Sequence, residues 1–247
     1  MKKENPLISV AFNIFIPVFI LKNGSNWLER LINNFDSSSW LPKLISSYDE
    51  PSFVFGVALL FPILYFISDF IIQRKINFIS IFGFINILLT GGIGVFGARM
   101  GLSKNWFIMK EGLMPLILGA SLLIISRLKH DYMKKLFLND MMFKKNKIEI
   151  AINGEVENEL DRIINITGYY FIAGFFISSV IQFVLASIIV VSNPGDASFN
   201  QEVSTMTWVS YLAVFVPTMF LMVMGFLKLV KGLEKITGMK QEEFLRL

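Results

Sequence analysis

The run Phe107-Ile-Met-Lys-Glu-Gly-Leu-Met-Pro-Leu-Ile-Leu-Gly-Ala-Ser-Leu-Leu-Ile-Ile-Ser126 decides the fold. A helix rises ~1.5 Å per residue and the hydrocarbon core of a bilayer is ~30 Å thick, so about 20 residues cross it. Lys110 and Glu111, near the start of the run, are its only charges. Backbone polar groups in lipid must pair within their own segment, so the run reads as a membrane-spanning helix.

Working outward, similar apolar segments lie at 6–21, 52–72, 78–97, 167–191 and 206–227. With 107–126 they make six; the first is short for a crossing and must tilt little or thin the bilayer. The ten-residue alternating segments of a β-barrel are absent. Of the 247 residues, 54% are hydrophobic and 17% charged, below the quarter or so usual in soluble domains. Mean hydropathy is +0.59. The expected fold is an all-α, six-helix membrane bundle forming one domain.

Orientation follows from the basic residues. Of 23 Lys and Arg, 17 fall on one side: at the N-terminus, at Arg74 and Lys75, between Arg127 and Arg162, and after 227. Five fall on the other side and Lys110 lies within a span. Both termini are therefore expected in the cytoplasm, with 127–166 as a small cytoplasmic connection. Trp27, Trp40, Trp106 and Trp208 all fall on the outer side or at outer helix ends, as interface anchors do. Lys2 and Lys3 before an apolar stretch resemble a signal peptide. Pro6, Asn13 and Pro17 interrupt that stretch and no small-residue cleavage site follows, so it reads as a retained first helix.

Composition excludes several chemistries. Without cysteine there is no disulfide framework, thiol nucleophile or Cys-based metal site. One histidine, His130, rules out a His-cluster metal site and makes a Ser-His-Asp mechanism improbable. No basic, aromatic-interleaved soluble domain exists to hold nucleic acid. No cofactor is expected, and the chain does not read as an enzyme.

The connections are more than spacers. In 22–51, Leu28, Leu31, Ile32 and Phe35 recur at helical spacing and read as a helix on the outer interface, or as a partner-binding helix. In 127–166, Leu128, Tyr132, Leu136 and Phe137 can share one face of a basic amphipathic helix drawn to anionic cytoplasmic lipid. Ile148, Ile150 and Ile152 alternate before Asn153-Gly154, which predicts a hairpin. An acidic helix is expected over 155–165, weakly paired with the basic half.

Charges inside spans are functional candidates. Asp69 lies near the inner end of the second span beside Arg74; Lys110 and Glu111 lie near the outer end of the fourth. All three could instead snorkel to an interface. Neighbours on a helix point ~100° apart, so at least one of Lys110 and Glu111 must face other helices. With Asn86, Thr90, Asn13 and Gln182 they could converge on an outer-half polar pocket, or each could make a separate interhelical hydrogen bond. Pro17, Pro62, Pro115 and Pro217 kink four spans. Gly91, Gly92 and Gly94 give the third span a narrow packing face.

Asn77-Phe-Ile-Ser80, Leu89-Thr-Gly-Gly-Ile-Gly94 and Trp106-Phe-Ile-Met-Lys-Glu111 with Pro115 resemble the VC0807 family of small polytopic bacterial proteins. That family is similar, distantly, to intracellular septation protein A. The resemblance covers scattered stretches of 52–189. It implies a multi-pass protein of the bacterial inner membrane, without an established reaction. It also implies an envelope or septation role through division proteins or membrane lipids. The rival expectation is a small permease with its site at Lys110, Glu111, Thr90 and Asn86. An intramembrane enzyme comes third, because only Lys110 and Glu111 could supply its acid and base.

Overall fold

A computed structural model describes residues 11–34, 49–73, 78–128, 130–139, 142–152 and 154–246, apart from the side chains at 69, 72–73, 78–83, 130–131, 149 and 155. Among these residues the regular elements are all helical. A π-helical turn, Ala11–Phe15, leads into α1 (Ile16–Asn34). Then come α2 (Glu50–Gln73), α3 (Phe78–Phe96), α4 (Lys104–Leu128), α5 (His130–Phe137) and α6 (Lys145–Ala151). The chain continues with α7 (Gly154–Ile189), α8 (Phe199–Ala213), α9 (Phe215–Thr237) and α10 (Gln241–Phe244).

Among the described residues, four stretches are long and apolar enough to cross a membrane: Glu50–Ser68, Lys104–Leu128, Val156–Ile189 and Phe199–Thr237. Only 22–33% of each apolar window is buried within the protein. The rest presents large apolar side chains such as Leu64, Ile117, Ile188 and Phe220. Hydrocarbon accommodates such a surface and water does not. The expected spans at 52–72, 107–126, 167–191 and 206–227 each overlap one of the four. The third is represented by the shorter apolar stretch Phe84–Phe96. The first is described only from Ala11 onward.

Several expected boundaries are corrected. From Ile16 to Asn34 the first span and the outer helix are one helix, α1, and Phe35 lies outside the described residues. The polar step Lys22–Ser25 does not end it, because Gly24 packs against Val54 and Leu28 is buried with Val54 beyond it. The acidic helix and the fifth span are likewise continuous in α7. The Thr167 hydroxyl there donates to the Ile163 carbonyl at 2.9 Å, so a polar residue costs the helix nothing. The sixth span is divided at Val214 into α8 and α9. Pro217 has no N–H to offer the Ala213 carbonyl, which explains a break there. The hairpin at 148–154 is absent: 145–151 is α6, and Ile148 is fully buried while Ile150 is exposed. A lone two-stranded hairpin is marginal, whereas a helix lets Ile148 enter an existing apolar cluster. Arg74, Trp40, Asn153 and the side chain of Asp69 lie outside the described residues.

The chain forms two compact units. Unit 1 comprises 1–111 and 182–212. Its core holds Phe55, Phe107 and Phe199, with the Phe107 ring edge-on to Phe199 at 5.7 Å between centroids. Asn200 donates to the Pro51 carbonyl at 2.8 Å and Ser204 to the Val18 carbonyl at 3.1 Å. The turn after α7 is pinned from several directions. The Glu202 carboxylate accepts the Val191 and Ser192 amides, both at 2.9 Å, and the Ser192 hydroxyl at 2.7 Å. Lys104 donates its ammonium to the Val191 carbonyl at 2.9 Å and its amide to the Asn193 side chain at 3.0 Å.

The three glycines of the expected packing face differ. A Cβ at Gly94 would lie 2.4 Å from the Phe55 ring, and one at Gly91 2.6 Å from a Leu59 methyl. A Cβ at Gly92 meets nothing within 4 Å. Phe55 is buried and cannot yield easily. Gly94→Ala should therefore destabilise the protein by about 1–3 kcal/mol. Gly92→Ala should be neutral or stabilising by up to about 1 kcal/mol through helix propensity. Unfolding in detergent checks both; equal effects would remove the packing role from Gly94.

Unit 2 comprises 112–181 and 213–247. Beyond its apolar helices it carries a packed cap. Met133, Phe137, Phe143, Ile148, Leu160, Leu233 and Phe244 share one buried cluster. The Phe143 and Phe244 rings stack with centroids 6.4 Å apart. An antiparallel bridge joins Phe143 to Leu245, with the Lys144 amide donating to the Phe244 carbonyl at 2.7 Å and Arg246 to Met142 at 2.9 Å. The expected pairing of basic and acidic halves is present at Lys134, which lies 2.8 Å from Asp161 and 3.1 Å from Glu157; Lys235 of α9 also lies 3.6 Å from Glu159. Partial burial opposes the Lys134 charge, but its hydrogen bonds to Asp161 and Glu157 outweigh that and hold its pKa above the usual lysine value.

Candidate functional site

Lys110 and Glu111 lie in the second turn of α4, before Pro115. Asn86 and Thr90 lie one turn apart on α3, so both face the same direction. The Lys110 side chain is 6% exposed and does not snorkel out. An ammonium has three protons to donate. Lys110 Nζ gives them to Thr90 Oγ1 at 2.7 Å and Asn86 Oδ1 at 3.2 Å, and forms an ion pair with Glu111 Oε1 at 2.5 Å. Thr90 can accept because its own proton goes to the Asn86 carbonyl at 2.8 Å. The Phe107 ring centroid lies 5.0 Å from the ammonium, within cation–π range.

The ~100° offset between neighbours is overcome by side-chain length. Lys110 turns toward α3, and Glu111, 17% exposed, reaches round to it. Glu111 is thus the counter-ion of a buried cation while still meeting the surroundings. Among the described residues, Asn13 and Gln182 are not among the groups these bonds bring to Lys110; Asn13 lies in the π-helical turn and Gln182 is half-buried in α7. Phe107 was not singled out from the sequence, although its position three residues before Lys110 puts it on the same helix face.

No family model, curated protein or solved structure matches this chain. The chemistry of the cluster must therefore be read from its own atoms. A buried ammonium with a partly exposed carboxylate beside it can hold an anion in place of that carboxylate. No group of three or more metal-ligating side chains occurs among the described residues. A second hydroxyl in unit 2, that of Ser179, donates to the Gly112 carbonyl at 2.7 Å. Such a bond ties α7 to α4 one residue after Glu111, whose carbonyl is the one Pro115 leaves without a ladder donor.

Proposed function

We propose that this chain is a six-span, non-enzymatic protein of the bacterial inner membrane, with both termini cytoplasmic. Within it, the Lys110, Glu111, Thr90 and Asn86 cluster is the binding site of a small permease for an anionic solute. The observation that carries this reading is the convergence of three side-chain oxygens on one buried ammonium, in a helix apolar enough to cross a membrane. Intramembrane charges that face protein mark solute or ion pathways by default. The 17-to-5 division of basic residues supports the orientation.

The test uses the purified protein in detergent with a panel of small carboxylates, phosphate and sulfate. At least one should raise Tm in the parent chain and leave unchanged a folded Lys110→Met/Glu111→Gln variant. If every anion acts equally on both, the site reading fails.

A second reading, a septation- or envelope-associated protein acting through division proteins, is supported by the packed cap of unit 2. A binding site at Lys110 does not require that cap. In-cell crosslinking from the cap to a division protein would favour this reading.

A further inference from the structure

We infer that the exposed side chains of Tyr132 and Leu136 on α5 and of Leu128 at the end of α4, flanked by Arg127 and Lys135, dock on the anionic phospholipid surface beside the end of α4. Tyr132 and Leu136, four positions apart on α5, share one face, and Leu128 is the last residue of α4. They are 74%, 54% and 44% exposed. The face of α5 about 100° round from it is already used: Met133 and Phe137 are buried in the cap. An amphipathic helix with one face in protein and a second apolar face open is suited to the boundary between headgroups and acyl chains.

Two further observations choose lipid as the occupant. The first is position. Lys129 alone separates α4 from α5, and two residues of extended chain span at most about 7 Å. Since α4 is apolar enough to cross a membrane up to Leu128, α5 begins at the level where headgroups lie. The second is charge. Residues 127–137 carry Arg127, Lys129, Lys134 and Lys135 against one acid, Asp131. Asp161 and Glu157 engage Lys134, and Arg127 and Lys135 remain exposed beside the apolar face. Lys135 Nζ lies 5.7 Å from the Tyr132 ring centroid, which keeps its charge against that face. Each basic residue near an anionic surface favours the docked state about fivefold. The inference rests on α4 crossing the membrane and is independent of any role for Lys110.

The chain has no cysteine, so single thiols can be labelled cleanly. Leu136→Cys carries an environment-sensitive fluorophore, and Ile117→Cys, exposed midway along α4, carries the same label in a second sample. Both are placed in nanodiscs of phosphatidylcholine and in nanodiscs of equal phosphatidylcholine and phosphatidylglycerol. The label at 136 should be quenched by iodide several-fold less in the anionic discs. High salt should reverse this protection, and Lys135→Ala should reduce the docked-to-free ratio about fivefold. Equal quenching in the two lipids overturns the inference. Protection that appears only in native membranes also overturns it and assigns the face to a protein. The label at 117 should be shielded in both lipids; if it is open to iodide, the membrane crossing itself fails.

Discussion

Lys110→Met should destabilise the protein by about 3 kcal/mol, and adding Glu111→Gln should restore most of that loss. The single change leaves the Glu111 carboxylate without its cation and takes a donor from Asn86 Oδ1 and Thr90 Oγ1. The double change leaves no charge to strand. A buried ion pair replaced by neutral groups of similar volume is often neutral or stabilising, whereas removal of one partner is costly. Glu111→Gln alone should be at least as harmful, because the ammonium it abandons is more deeply buried than the carboxylate. Denaturant or thermal unfolding in detergent gives the three values. If the double variant is as unstable as Lys110→Met, the loss arises from Asn86 and Thr90 and the ion pair contributes nothing. A pair that is dispensable for stability yet required for anion binding is the pattern expected of a functional site.

Phe244→Ala should cost the cap of unit 2 about 3–5 kcal/mol. The ring is fully buried, stacks on Phe143, and lies where the chain end pairs with Met142 and Lys144. Removing 240–247 altogether should have the same effect by uncovering Phe143. Hydrogen exchange is the direct measurement. Amides at 142–152 should lose protection while those at 182–212 keep theirs. Unchanged exchange at 142–152 would mean that α5, α6 and the base of α7 hold together without the tail.

Much of this organisation was legible from local pattern. Lys110 and Glu111 stood out because charge is rare in a run like 107–126, and Asn86 and Thr90 because their spacing puts them on one face. What the sequence could not supply was the register between α3 and α4 that brings both to one ammonium. Nor does it show how closely α2 approaches α3, where Leu59 and Phe55 fit against Gly91 and Gly94. The same gap explains the misread hairpin. Alternation of Ile148, Ile150 and Ile152 is a strand signal, but the stabilising event is the entry of Ile148 alone into the cluster around Phe143 and Phe244. Pattern also placed helix ends where polarity rose, at Lys22 and near Asn165. At the first the helix continues because Gly24 and Leu28 pack against Val54, and at the second the Thr167 hydroxyl donates to a carbonyl of its own helix.

The turn between α7 and α8 has a practical consequence for sidedness measurements. Gly195 has φ +95°, and a Cβ there would lie 2.5 Å from that of Ala98. Asn193 is held by Lys104 on one side and by the Asp196 carboxylate on the other, the latter at 2.7 Å. A loop this tightly keyed has no slack for a fused reporter, although its place between two apolar helices invites one. Insertion is tolerated where backbone and side chains are free. A whole reporter domain spliced into 193–198 would pry apart the junction it is meant to report on. A thiol at exposed Ala197, reached by a membrane-impermeant reagent, would tell the two sides of the membrane apart and leave the junction closed.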